Sequence, residues 1–201
     1  LGWLTGSPPH ADEVELVGTL TPPSAEGSAR CHLGLHVDTN GGRTWRYATA
    51  ICYLSTVNEG GHTCFPLART VEEEDIEPPN YEQLELLEAS QRLLDGDVDH
   101  TDRVLEQGMR PDLRSDAEAL VAAASSGSGV SVPAELGTVV LFWTRRCDGS
   151  IDPHSWHGGE SVGLGSTKWT LQKFKEVPVA VRSQPKDLAG FVADTRRKIM
   201  K

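Results

Sequence analysis

Across 201 residues, no apolar run approaches the roughly 18 that a membrane-crossing helix needs, so no membrane segment is expected in this chain. Basic residues are short as well: 19 Lys and Arg stand against 29 Asp and Glu, a net charge of -10. That excess gives no electrostatic footprint for nucleic acid, and a nucleic-acid partner is not expected. The few cysteines, Cys31, Cys52, Cys64 and Cys147, form neither a CxxC pair nor a zinc-like spacing, and they read as structural thiols ahead of a disulfide. Strands and helices do not alternate in the βαβ manner, which argues against a parallel doubly wound sheet. No signal peptide is legible after Leu1, and the compartment stays open between endoplasmic reticulum and cytosol.

What is present suits a turn-rich globular chain: 38% hydrophobic residues with 20 Gly and 12 Pro. The length allows one sizeable core, and one domain over residues 1–201 is expected. The charge is unevenly placed. Residues 69 to 129 carry 16 acidic and 5 basic side chains, which leaves 13 acidic and 14 basic for the rest. This acidic stretch also reads as helical, with a capping signal at Asn80 and Gln83, a capping box at Ser115 and Glu118, and a flexible Ser125 to Gly129 link behind it. The plain reading is a solvated insertion. A lid or a partner-binding face is the alternative.

The stretch from Cys31 to Pro66 concentrates chemistry. Ala29 to Asp38 reads as a strand, on which His36 and Asp38, two apart, share a face and can converge on one metal ion. A third ligand is expected from Asp152 to Gly159, where His157 is the natural candidate and His154 is also available. Two histidines and a carboxylate on one side of a metal form the facial triad of non-haem Fe(II) oxygenases. A metal also explains how Asp38 can sit inside a barrel, since burying an unpaired carboxylate costs several kcal/mol. Further strands are expected at Tyr47 to Leu54, His62 to Phe65, Thr138 to Trp143, Ser161 to Leu164 and Lys168 to Glu176. Val14 to Val17 permits a short one. Asp187 to Lys201 reads as a terminal helix whose basic end complements the helix dipole. Short strands with Gly-rich turns argue for an all-β antiparallel sandwich or barrel.

Several segments, in order, resemble the catalytic domain of the prolyl 4-hydroxylases, within the Fe(II)- and 2-oxoglutarate-dependent dioxygenases. They are His36-x-Asp38, Arg46-x-x-Thr49-x-x-x-Tyr53-Leu54, Gly60-Gly61-His62-Thr63-Cys64-Phe65-Pro66, Gly137 to Phe142, and Ser155-Trp156-His157 followed by Val162, Gly165, Lys168 and Trp169. The resemblance covers about residues 31 to 66 and 131 to 176. It implies a double-stranded β-helix, or jelly roll, with residues 69–129 as an inserted helical segment. It implies metal ligation by His36, Asp38 and His157, and leaves His62 and His32 as non-ligands. Lys168 would pair with the distal carboxylate of 2-oxoglutarate, across a small bulge because its interval from His157 is one residue long. Thr63 would support the same cosubstrate, with Tyr53 and Thr49 lining the pocket. Arg46 would either contact a peptide or brace the sheet, and Phe174 would pack in the core. No tyrosine stands in residues 1–35, where one often helps bind the cosubstrate.

The implied activity is hydroxylation of peptidyl proline, of the procollagen-proline 4-dioxygenase type, using Fe(II), O2 and 2-oxoglutarate with ascorbate as support, on a peptide or protein partner. The alternatives are the same chemistry on protein lysine or a small molecule, an inactive jelly-roll binding module, and a Zn or Mn cupin-like site. Oligomeric state is not legible.

Overall fold

The computed structural model describes residues 12–23, 33–39, 45–68, 129–183 and 185–199. The helices expected within residues 69–129 lie outside the described residues, as do Cys31 and His32. In chain order the elements are β1 (Asp12–Thr21), β2 (Leu33–His36), β3 (Arg46–Tyr53), β4 (Thr63–Phe65), β5 (Val130–Val132), β6 (Val139–Trp143), β7 (His157–Gly159), β8 (Lys168–Glu176) and α1 (Pro185–Ile199). A 3-10 turn at Pro153–Ser155 precedes β7.

The strands form two antiparallel four-stranded sheets, ordered β1-β8-β3-β6 and β2-β7-β4-β5. Strand alternation decides what lies between them. Thr49, Ile51 and Tyr53 of β3 are buried, and Thr49 reaches Asp38 while Tyr53 reaches Thr63 of β4. Phe142 of β6 meets Phe65 edge-on with ring centroids 5.0 Å apart. The polar groups of the site therefore stand on the same inter-sheet surface as the core residues Ile51, Val57, Ala134 and Val162.

Helix α1 closes one end. Leu188, Phe191 and Val192, three and four apart, pack on Tyr47, Ala48 and Val177, and Phe191 meets the Tyr47 ring at 5.3 Å. Full burial of Val192 contributes about 2 kcal/mol, and a charge there would undo that anchor. The basic end is only partly a dipole partner, because Arg196 also lies over Trp143 and 3.9 Å from Asp152. Among the described residues no helix is long and apolar enough to cross a membrane.

Several expectations need correction. β1 runs for ten residues, not four, because its pairing with β8 continues through Gly18 to Thr21. Ser161 to Leu164 is not a strand; only Val162 bridges, to Gly60. No register shift occurs at Lys168, which pairs with Thr21; the shifts of β8 lie against Arg46–Ala48 and Asp12–Leu16. Cys64 is disulfide-bonded rather than a thiol, while Cys52 and Cys147 are free.

Candidate metal centre and adjoining cavity

His36 ends β2 and stands opposite His157, which begins β7, in an antiparallel pair. Asp38 is not on the strand as its spacing suggested; it lies in the turn after β2, which bends its carboxylate back toward the two imidazoles. His36 Nε2 lies 3.3 Å and His157 Nε2 4.0 Å from Asp38 Oδ1. One ligand atom from each of the three residues lies within 4.8 Å of the others. His154 faces Asp152 at 3.6 Å instead.

Neighbours of this trio hold His157 and Asp38 in place. His157 Nδ1–H donates to the Ser155 carbonyl at 2.8 Å, which sets the tautomer that leaves the Nε2 lone pair facing Asp38. Its ring stacks on Phe65 at 5.4 Å and meets Phe142 edge-on at 4.7 Å. Burial pushes the His157 imidazole down to about 4, against the opposing pull of Asp38, so it is neutral at neutral pH. Burial alone would raise the Asp38 carboxyl. The His36 hydrogen bond, the electrostatic interaction with His157 and the Thr49 hydroxyl more than offset it, and the group lies below the ordinary carboxylate range. Thr49 Oγ1 donates to Asp38 Oδ2 at 2.5 Å, leaving Oδ1 toward the imidazoles. Arg46 donates to the Asp38 carbonyl at 3.1 Å, lies 3.7 Å over the Phe174 ring and 3.9 Å from Glu176. These contacts make Arg46 a brace of the turn and sheet. The neutral His157 imidazole and the ionised Asp38 carboxylate, both fixed from behind, together with the His36 imidazole beside them fit a divalent transition metal.

A cavity of about 200 Å³ adjoins the trio, lined by His36 and His157 and also by Thr63, Lys168, Glu160, Thr19 and Thr21. That volume suits a small ligand of roughly ten heavy atoms rather than a drug-sized one. Lys168 is buried at 6% exposure, and among the described residues its ammonium has no ion-pair partner. It donates to Thr63 Oγ1 at 3.2 Å and approaches the His62 carbonyl at 3.5 Å. Burial lowers its pKa to about 8, with Glu160 acting to raise it. Tyr53, whose hydroxyl burial raises so that it stays protonated, donates to the same Thr63 oxygen at 2.8 Å. A hydroxyl has two acceptor lone pairs and one proton; with both lone pairs engaged, the Thr63 proton is left to donate elsewhere.

The structure thus gathers His36, Asp38 and His157, and sets Lys168 and Thr63 around the adjoining cavity with Tyr53 behind Thr63. Thr49 stands apart from this second group, because its hydroxyl is engaged by Asp38. Sequence reasoning missed Glu160, Thr19, Thr21, Thr170 and Gln172 of the cavity wall. Thr21 pairs with Lys168 and Thr19 with Thr170 across β1 and β8. The alternation Thr19-Leu20-Thr21 was the available signal, and Pro22-Pro23 behind it hid the strand's end.

No protein-family model matches the chain. It is 31% identical over 138 residues to Probable prolyl 4-hydroxylase 3 of Arabidopsis thaliana, covering 69% of this chain and 33% of that protein. It is 30% identical over 138 residues to Probable prolyl 4-hydroxylase 10 of the same plant, covering 69% and 32%. Over 132 residues it is 30% identical to Prolyl 4-hydroxylase 1, also from that plant, covering 64% and 30%. The chain spans about a third of the length of these curated relatives.

Proposed function

We propose that this chain, a prolyl 4-hydroxylase-like domain, is an Fe(II)- and 2-oxoglutarate-dependent dioxygenase that hydroxylates proline in a peptide or protein. The observation that carries this reading is a cavity whose wall holds both imidazoles of the trio and a buried lysine with no anionic partner among the described residues. Each feature alone has a structural explanation. Together they call for a small molecule with a metal-chelating end and a carboxylate end.

The reaction consumes 2-oxoglutarate, O2 and a substrate C–H, and yields succinate, CO2 and the C–OH product. When bound, Fe(II) supplies the redox chemistry that activates O2. His36, Asp38 and His157 would hold it on one face. Lys168 would take the distal carboxylate in a charge-assisted contact, strengthened by its burial, and the Thr63 proton would donate to the same group. Tyr53 keeps Thr63 oriented for that role. Phe65 and Phe142 fix the His157 ring and keep water from its flanks.

The fold we propose is a jelly roll in one domain over residues 1–201, with residues 69–129 inserted. Support comes from the way successive strands alternate between the two sheets, except where β4 pairs directly with β5. Names of the plant relatives support proline as the target class. The test is succinate formation from 2-oxoglutarate with Fe(II) and ascorbate in air, with and without proline-rich peptides, beside a His36→Ala control. Peptide-stimulated succinate that the control abolishes is the expected result. Peptide-independent succinate would refute the proline assignment, and no succinate from an Fe(II)-binding protein would refute the enzyme.

A further inference from the structure

The cavity that offers one buried ammonium to an anion also carries a carboxylate in its wall. Glu160 follows β7, its side chain is only 11% exposed, and its field reaches Lys168, opposing the burial that lowers the lysine's pKa. Left to itself, a flexible acid in the same cavity would close on that ammonium, and an incoming carboxylate would have to displace it. In the structure it does not. Glu160 Oε2 is instead taken by His62, from the imidazole Nδ1 and from the backbone N–H at 3.3 Å. The backbone completes the clamp, since Glu160 N–H donates to the His62 carbonyl at 2.9 Å, next to the Thr63–Gly159 rung of the β4–β7 ladder. That carbonyl is the one lying 3.5 Å from Lys168 Nζ.

We propose that His62 and Glu160 are a positioning pair: the imidazole holds the Glu160 carboxylate away from Lys168, so that the ammonium stays open to the carboxylate of an anionic cosubstrate. This rests on the reading of Lys168 as the anchor for 2-oxoglutarate. Among the described residues neither side chain has a hydrogen bond or ion pair with His36, Asp38 or His157. The pair's effect is on cosubstrate affinity, through the charge that competes for Lys168.

The experiment measures 2-oxoglutarate affinity by calorimetry on the full chain loaded with Mn(II), so that no turnover occurs, with KM for 2-oxoglutarate in parallel on the Fe(II) form. His62→Ala frees Glu160 and weakens binding about tenfold, the factor that a partly buried ion pair of ~1.4 kcal/mol imposes on a competitor. Adding Glu160→Gln to that variant restores wild-type affinity, because the competing charge is gone. His62→Gln keeps a donor and stays within about threefold of wild type; it also serves should His62→Ala fail to fold, which thermal melting reports. Unchanged affinity in His62→Ala, or a loss that Glu160→Gln does not repair, would overturn the proposal and leave His62 a merely structural residue. A wild-type protein that binds Mn(II) but no 2-oxoglutarate would instead sink the assignment of Lys168, and this inference with it.

Discussion

Replacing Thr49 by valine keeps the shape of a fully buried β3 residue and removes one hydroxyl. That hydroxyl donates at 2.5 Å to the oxygen of Asp38 that does not face the imidazoles. A hydrogen bond to a buried ionised group is worth about 2 kcal/mol, which corresponds to roughly 30-fold in a binding constant. Losing it also removes one of the contacts that lower the Asp38 pKa, so protons compete better with a metal for the carboxylate. The expected result is Mn(II) or Fe(II) binding about 30-fold weaker at neutral pH, with a gap from wild type that widens as the solution is acidified. Titration calorimetry at two pH values, with chelator-treated protein melted in parallel, measures both. Metal affinity within about twofold of wild type, alongside a lowered melting point, would show that Thr49 only packs, and the argument from its hydrogen bond would be wrong.

Three other substitutions or conditions probe the cavity lysine and the fold around it. Lys168→Met should raise KM for 2-oxoglutarate about 100-fold or more while leaving metal affinity unchanged, and the metal-free protein should melt higher, because a buried ammonium shifted from 10.5 to about 8 opposes folding by ~3 kcal/mol; a lower melting point would refute the cost assigned to that charge. The same shift has a sign in pH. Between about 8 and 10.5 the unfolded chain holds a proton that the folded lysine has released, so stability of the metal-free protein rises with pH across that window, while KM for 2-oxoglutarate is flat below about 8 and climbs from there; denaturant titrations and initial rates at stepped pH check the two halves. Gly60→Ala should destabilise the fold sharply, since a Cβ there would stand 2.1 Å from the Ser161 carbonyl oxygen in a backbone with φ of 66°, and a melting point close to wild type would mean that the Gly60–Val162 bridge can give way.

The sequence made the grouping of the site residues legible and left their placement hidden. His36, Asp38 and His157 were singled out by residue type together with a resemblance to a known family, and the structure brings them together; β8 was read to the residue, because a run dense in β-prone side chains needs little context. The reason given for His36 and Asp38 was nonetheless incomplete. They converge because the strand stops at His36 and a turn carries Asp38 back, and a turn held by Thr49 and Arg46 depends on partners eight and eleven residues away. β1 was underestimated because its second half is set by pairing with β8, more than a hundred residues downstream, and not by its own composition. Glu160 escaped notice for the same reason: in sequence it is one acid after two glycines, and only the β4–β7 ladder brings it to His62. The disulfide of Cys64 depends likewise on which cysteines the fold brings together, which spacing does not report.

The two buried charges of the cavity region constrain what completes them. Asp38 and Lys168 are each desolvated, and they do not pair with one another; Asp38 turns to the imidazoles and Thr49, Lys168 to Thr63 and the His62 carbonyl. A cation satisfies the first and an anion the second. Bound separately, the two would each lower their own desolvation cost and need not know of each other. A keto acid that chelates the metal at one end and reaches Lys168 with its other carboxylate ties the two together, so each ligand must tighten the other by the same factor, as linkage requires. Measured at saturating and at zero Mn(II), the affinity for 2-oxoglutarate should therefore differ by about tenfold or more, and the affinity for Mn(II) should change by an equal factor when 2-oxoglutarate is added. Equal affinities in the two conditions would mean that the ammonium and the trio act on different molecules, and the single-cosubstrate reading of this cavity would be refuted.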